Sequence, residues 1–131
     1  MPPRVVLADD RSEILQSAQQ ILGDEFRVVG TAENGAVAVE LAARLSPDVL
    51  VLDISMPVQN GIEAACHLKE LGSSTRVVFM TVNTEPEFVE AALFAGAFGY
   101  VLKQFLASDL VPAIWAAMDG ATFISPSMQM P

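Results

Sequence analysis

From Val49 to Asp53 the chain runs VLVLD, four apolar positions without polar alternation and then a carboxylate. A short β-branched run of this kind reads as a strand covered on both faces, which places Asp53 at its carboxyl end. The same character recurs in RVVLA (Arg4–Ala8), FRVVGTA (Phe26–Ala32), RVVFMT (Arg76–Thr81) and GYVL (Gly99–Leu102). Between these runs the apolar positions switch to helical spacing: Ile14, Ala18, Ile21 and Leu22, then Ala38, Leu41, Ala42 and Leu45, then Ala64, Ala65, Leu68 and Leu71.

Turn residues punctuate the pattern. Ser46-Pro47 and Gly72 stop the second and third helices, and Asn34-Gly35 and Asn60-Gly61 precede them. Thr84 with Glu87 three residues on has capping-box spacing, Pro86 suits a first turn, and the helix should run through Ala95. A last helix carries Leu110, Ala113, Ile114 and Ala117; with Ser108 or Asp109 as its N-cap, Pro112 falls in or just after the first turn. Five strands alternating with five helices imply a parallel, doubly wound α/β sheet with helices on both faces. From Gly120 the segment GATFISPSMQMP loses periodicity and reads as an exit segment, with Met128 and Met130 as exit residues.

At 131 residues one domain is expected. Composition narrows the partners: 7 Lys and Arg against 16 Asp and Glu leave a net charge of -9, a surface that repels phosphate backbones and suits a metal cation or a basic protein face. No apolar run reaches membrane-spanning or signal-peptide length, so a soluble, cytoplasmic protein without membrane contact is expected. Cys66 stands alone, which excludes an internal disulfide and fits a reducing compartment; it reads as a packing residue and His67 as a solvated one.

The polar residues with chemical potential all fall at strand carboxyl ends: Asp9 and Asp10, Asp53, Thr81, and Lys103. In open α/β sheets that edge is where ligands bind. If the central strands are neighbours, the edge gathers three carboxylates, a hydroxyl and an ammonium. Clustered acids repel unless protons or a divalent cation neutralise them, and oxygen ligands of this kind suit Mg²⁺. The set is a phosphoryl-transfer arrangement, in which cation and Lys103 offset charge on the equatorial oxygens, Thr81 donates to one of them, and Asp53 attacks in line. Singly, each residue has a plainer role, such as an Asp9 or Asp10 cap or a solvated Lys103; that account needs a separate accident at every strand end.

The ordered set of ADD, LDISMPVQNG, FMT and GAFGYVLK resembles the response-regulator receiver domain of two-component signalling, from Arg4 to about Met118. The resemblance implies a flavodoxin-like five-stranded parallel sheet in the order 2-1-3-4-5. It makes Asp53 the phospho-acceptor for a sensor histidine kinase's phosphohistidine, and Thr81 and Lys103 its catalytic partners. Mg²⁺ would be held by Asp9, Asp10, Asp53 and the Ser55 backbone carbonyl, and Tyr100 would follow Thr81 as the switch aromatic. Such a domain modifies itself and is no enzyme toward a separate substrate.

GYVLK and GATFISP further resemble the NarL/FixJ-type regulators, in which a receiver precedes a helix-turn-helix DNA-binding domain. On that pattern residues 1–119 are the receiver and 120–131 begin a linker to an output domain absent from the sequence. DNA would be contacted only through that domain, and a phosphorylation-dependent homodimer is expected.

Two positions depart from the resembled pattern. Val82 stands where a smaller residue is usual and should narrow the path of an attacking water, and Gln59 replaces an apolar residue before Asn60-Gly61. A haloacid-dehalogenase-type phosphatase would need a second Asp where Ser55 stands, and a flavodoxin would need a phosphate-binding loop where ADDRSE would repel it. A stand-alone or phosphorylation-independent receiver acting by protein contact is the remaining alternative.

Overall fold

Strands form where the apolar runs lie and helices where the spacing changes to 3.6. The structure, a computed structural model, describes residues 2–128. In chain order it contains β1 (Arg4–Ala8), α1 (Ser12–Leu22), β2 (Arg27–Ala32), α2 (Gly35–Leu45), β3 (Val49–Asp53) and α3 (Gly61–Glu70). These are followed by β4 (Arg76–Thr81), α4 (Pro86–Phe94), β5 (Gly99–Leu102), α5 (Leu106–Met118) and β6 (Phe123–Ile124).

All strand pairings are parallel, in the order β2-β1-β3-β4-β5-β6. The expected order of the first five holds, but the sheet has six strands. The sixth lies in the segment read as an exit: Phe123 and Ile124 pair with Gly99 and Tyr100, and Met128 packs half-buried against the core. Met130 lies outside the described residues. Two consecutive apolar residues flanked by Gly, Ser and Pro are too short a run to register as a strand; the open edge of β5 supplies the pairing.

Alternation within each buried run divides the core. Val5, Leu7, Val49, Val51, Val78, Met80 and Val101 face α1 and α5, whereas Val6, Leu50, Leu52, Phe79, Tyr100 and Leu102 face α2, α3 and α4. Every residue of β3 is buried, because both its faces are covered and both its edges paired. The chain passes from β1 outward to β2 and then to β3 on the other side, so the switch point opens between the carboxyl ends of β1 and β3. There Ala8 pairs with Leu52, which sets Asp9 beside Asp53.

Two helix starts differ from expectation. α4 begins at Pro86 with Glu85 as its N-cap and no side-chain cap, so the Thr84–Glu87 box does not form. α5 starts at Leu106, several residues early, and Pro112 lies inside it. Proline there removes the hydrogen bond to the Ser108 carbonyl, yet Leu110, Ala113, Ile114 and Ala117 bury the helix against the sheet and outweigh that loss. Asp109 is thereby placed within the helix and buried, where it cannot act as N-cap. As expected, Cys66 packs half-buried against the core and His67 is exposed.

Candidate functional site

Asp9 and Asp53 both project from strand ends into the switch-point crevice and are buried, whereas Asp10 is exposed. Asp9 Oδ1 accepts from the Arg11 N–H at 2.8 Å, which fixes the turn into α1. Lys103, directly after β5, reaches across to both acids, with Nζ 2.7 Å from Asp9 Oδ2 and 3.3 Å from Asp53 Oδ1. Burial, and next the Asp9 charge, push the Asp53 carboxyl up to about 6; the charge and hydrogen bond of Lys103 and the Ser55 N–H work against them.

Oxygen atoms of Asp9, Asp10 and Asp53 lie within 4.8 Å of one another. Asp9 Oδ2 is close enough to Lys103 for an ion pair but has no aligned hydrogen-bond donor, so this buried oxygen keeps coordination capacity. Hard carboxylate oxygens, converging and incompletely satisfied, fit Mg²⁺. A cavity of about 310 Å³ opens over them, lined by Asp10, Arg11, Ile14, Asp53, Ser55, Val82 and Lys103. A larger cavity of about 400 Å³ sits at the amino end of β4 near Lys69 and Arg76; none of its lining residues is acidic, and it is remote from these carboxylates.

Thr81 is buried at the end of β4 and shares a smaller cavity of about 60 Å³ with Lys103. Its Oγ1 accepts from both the backbone N–H and the side-chain amide of Asn83, each at 3.1 Å. Tyr100, fully buried, donates its hydroxyl to the Asn83 carbonyl at 2.9 Å. Burial pushes the Tyr100 phenol up to about 12, opposed by the Thr81 hydroxyl and aided by the Glu85 charge. Asn83 therefore joins the two residues expected to move together. Sequence reading missed it, although a side-chain amide two residues after a strand-end hydroxyl has the reach for such a turn. Val82 is 73% exposed, so it stands at the cavity rim and does not fill the crevice.

The loop after Asp53 is held from both sides. Asn60 and Glu63 exchange hydrogen bonds as a capping box at the start of α3, and a Cβ on Gly61 would collide with the Asp53 carbonyl. Only glycine lets this helix begin so close to the end of β3. Gln59 N–H bonds to the Pro57 carbonyl at 2.7 Å across Val58, whose φ is 69°. This is a γ-turn of the rare, strained hand, which costs a β-branched central residue about 1–2 kcal/mol. Since Val58 is exposed, Val58→Gly should raise stability by up to about 1 kcal/mol in urea unfolding while Val58→Ile leaves it unchanged. Equal midpoints for the Gly variant and wild type would remove the strain.

The family described as response regulator receiver domain matches residues 5–115. The chain belongs to this family. Among relatives of this receiver, the nitrate/nitrite response regulator protein NarL of Escherichia coli K12 is 36% identical over 129 residues, covering 97% of this chain and 60% of NarL. The transcriptional regulatory protein DegU of Brevibacillus brevis is 33% identical over 127 residues, covering 95% of this chain and 54% of DegU. The receiver thus spans little more than half of these relatives. Its structure matches the signal receiver domain of the response regulator NarL from Mycobacterium tuberculosis with a TM-score of 0.87 at 33% identity, covering 91% of this chain and 98% of that one. Among the described residues no helix is long and apolar enough to cross a membrane.

Proposed function

We propose that Asp53 accepts a phosphoryl group from the phosphohistidine of a sensor histidine kinase and that this receiver thereby acts as a cytoplasmic signalling switch. The observation that carries the reading is the buried Asp53 carboxylate, facing Asp9 and within reach of Lys103, at the floor of an open cavity. A carboxylate oxygen attacks phosphorus in line; the new O–P bond forms as the bond to the donor nitrogen breaks, and the imidazole keeps that electron pair.

Lys103 is placed to offset charge on the transferred group, and Thr81 to donate to one of its oxygens. Asp9, Asp10, Asp53 and the Ser55 carbonyl would hold Mg²⁺, which when bound neutralises the acids and polarises the phosphoryl oxygens. Asp10→Ala should therefore weaken Mg²⁺ binding at least about tenfold, the loss that even an outer-shell partner causes. A calorimetric titration unchanged from wild type would place the cation elsewhere.

Once phosphorylated, Asp53 attracts the Thr81 hydroxyl, and the Asn83 link carries that change to Tyr100. The new oxyanion supplies the differential contact that a population shift requires. DegU's description as a transcriptional regulatory protein supports placing this receiver ahead of a DNA-binding output domain beyond residue 131, reached through residues 120–131, of which Phe123–Ile124 join the receiver sheet as β6. With a net charge of -9 the receiver itself repels DNA, so contact would fall to that domain, presented by a phosphorylation-dependent homodimer. Incubation with a small phosphodonor and Mg²⁺, followed by intact-mass measurement, tests the acceptor assignment: a single phosphoryl group added to wild type and missing from Asp53→Asn supports it, and none on wild type refutes it.

A further inference from the structure

We propose that Ser125 and Asp109 form a buried clamp that positions Lys103 and ties the chain after α5 to the acceptor site, a role that rests on reading Asp53 as the phospho-acceptor. Ser125 is 0% exposed and Asp109 8%, and a buried hydroxyl and carboxylate are costly unless their hydrogen bonds are met. Here they are met. Ser125 Oγ accepts from the Leu102 N–H at 3.0 Å and donates to Asp109 Oδ2 at 2.8 Å, while Asp109 Oδ1 accepts from Ser108 Oγ at 3.0 Å.

The ladder shows why a side chain is needed at this point. Phe123 N–H bonds to the Phe98 carbonyl and Ser125 N–H to the Tyr100 carbonyl, each at 2.9 Å. A regular parallel ladder would next send the Leu102 N–H to the Ser125 carbonyl. That carbonyl instead accepts from Met128 N–H at 2.8 Å in the turn Pro126–Met128, so the chain leaves the sheet. The hydroxyl takes the carbonyl's place. Because the Ser125 hydroxyl donates its hydrogen bond to Asp109, a lone pair of Ser125 Oγ is left to accept from Leu102.

Leu102 is the covalent neighbour of Lys103, and a helical turn (Lys103–Phe105) begins at once after it. Pinning the last N–H of β5 therefore fixes where the Lys103 stem departs. Its ammonium has to serve Asp9 and Asp53 together, and a displacement of ~1 Å remote from the chemistry can cost up to ~100-fold in rate. Ser125 and Asp109 touch neither acid, so both are positioning residues. Tyr100 and Leu102 both hydrogen-bond to Ser125, which couples the chain after α5 directly to β5 beside the acceptor site.

The test uses the full chain and compares Ser125→Ala, Ser125→Cys, Ser125→Thr and Pro126→Ala by initial labelling rate with Mg²⁺ and acetyl phosphate, and by amide exchange at Leu102 without donor. Cys keeps the volume but is a weak acceptor, which covers a failure of the Ala variant to fold; Thr restores the hydroxyl; Pro126 is exposed and, although it lines a cavity with Ser108 and Asp109, makes none of the clamp's hydrogen bonds, so its replacement disturbs the tail and leaves those bonds in place. Ala and Cys should label roughly tenfold more slowly and exchange Leu102 roughly tenfold faster. Thr and Pro126→Ala should stay within about twofold of wild type in both, since neither removes the acceptor for Leu102. A wild type that takes no label overturns the acceptor reading. A labelled wild type matched in rate by Ala and Cys, or slowing shared by Pro126→Ala, overturns the clamp alone.

Discussion

Asp53→Asn should take up no phosphoryl group from acetyl phosphate under conditions in which the wild type gains one, its rate falling below roughly a hundredth of wild type because the nucleophile itself is gone. The amide has the shape of the carboxylate but no nucleophilic oxyanion. Its neighbours cannot substitute readily: Asp9 is fully buried with Oδ1 committed to the Arg11 N–H, and Asp10 is exposed at the cavity wall. The wild-type adduct should be released by hydroxylamine, which cleaves acyl phosphates and leaves phosphate esters of Thr81 or Ser55 intact. Peptide mapping that finds the group on Asp9, Asp10 or a hydroxyl would overturn the assignment.

The second large effect is on stability. With the Asp53 carboxyl raised from 3.8 to about 6 in the folded protein, the native state binds more protons than the unfolded state between those values. Stability is then fully present below about pH 4 and is lost as pH rises through 6, a change of about 2–3 kcal/mol in metal-free protein. Asp53→Asn, which never ionises, should be more stable than wild type by that amount at pH 7.5 and equal to it near pH 4. Mg²⁺ should close the gap at pH 7.5 by favouring the ionised wild-type site. Urea unfolding in EDTA across this range checks it; a difference that does not vary with pH would show that Asp53 ionises without penalty.

Asp53 and Lys103 were legible because each follows a run whose apolar continuity required burial on both faces; a charged residue at the end of such a run stands out. The ADD pair was legible as a pair only. Which of the two is buried, Asp9 or Asp10, depends on how β1 turns into α1, and the local pattern does not contain that turn. Asn83, Ser125 and Asp109 were missed or misassigned for a related reason. Ser125 meets Leu102 and Asp109, 23 and 16 positions away, only through folding; Asn83 reaches Thr81 locally, but its link to Tyr100, 17 positions away, exists only in the folded sheet. Polar residues in a Gly- and Pro-flanked tail carry the same local signature whether they are solvated or clamped.

Taken alone, the order of residues determined the alternation of strands and helices, the parallel α/β class, and the set of acids, hydroxyl and lysine at strand ends, because periodicity and turn chemistry act over a few neighbouring positions. Tertiary structure alone decided the sixth strand, the early start of α5 across Pro112, and the burial of Asp109 and Ser125. It also decided that Lys103 bridges Asp9 and Asp53. In each case the deciding energy comes from groups distant in sequence: an open strand edge, a helix face pressed on the sheet, or one ammonium between two buried carboxylates. Such energies exist only once the sheet has brought its strand ends together.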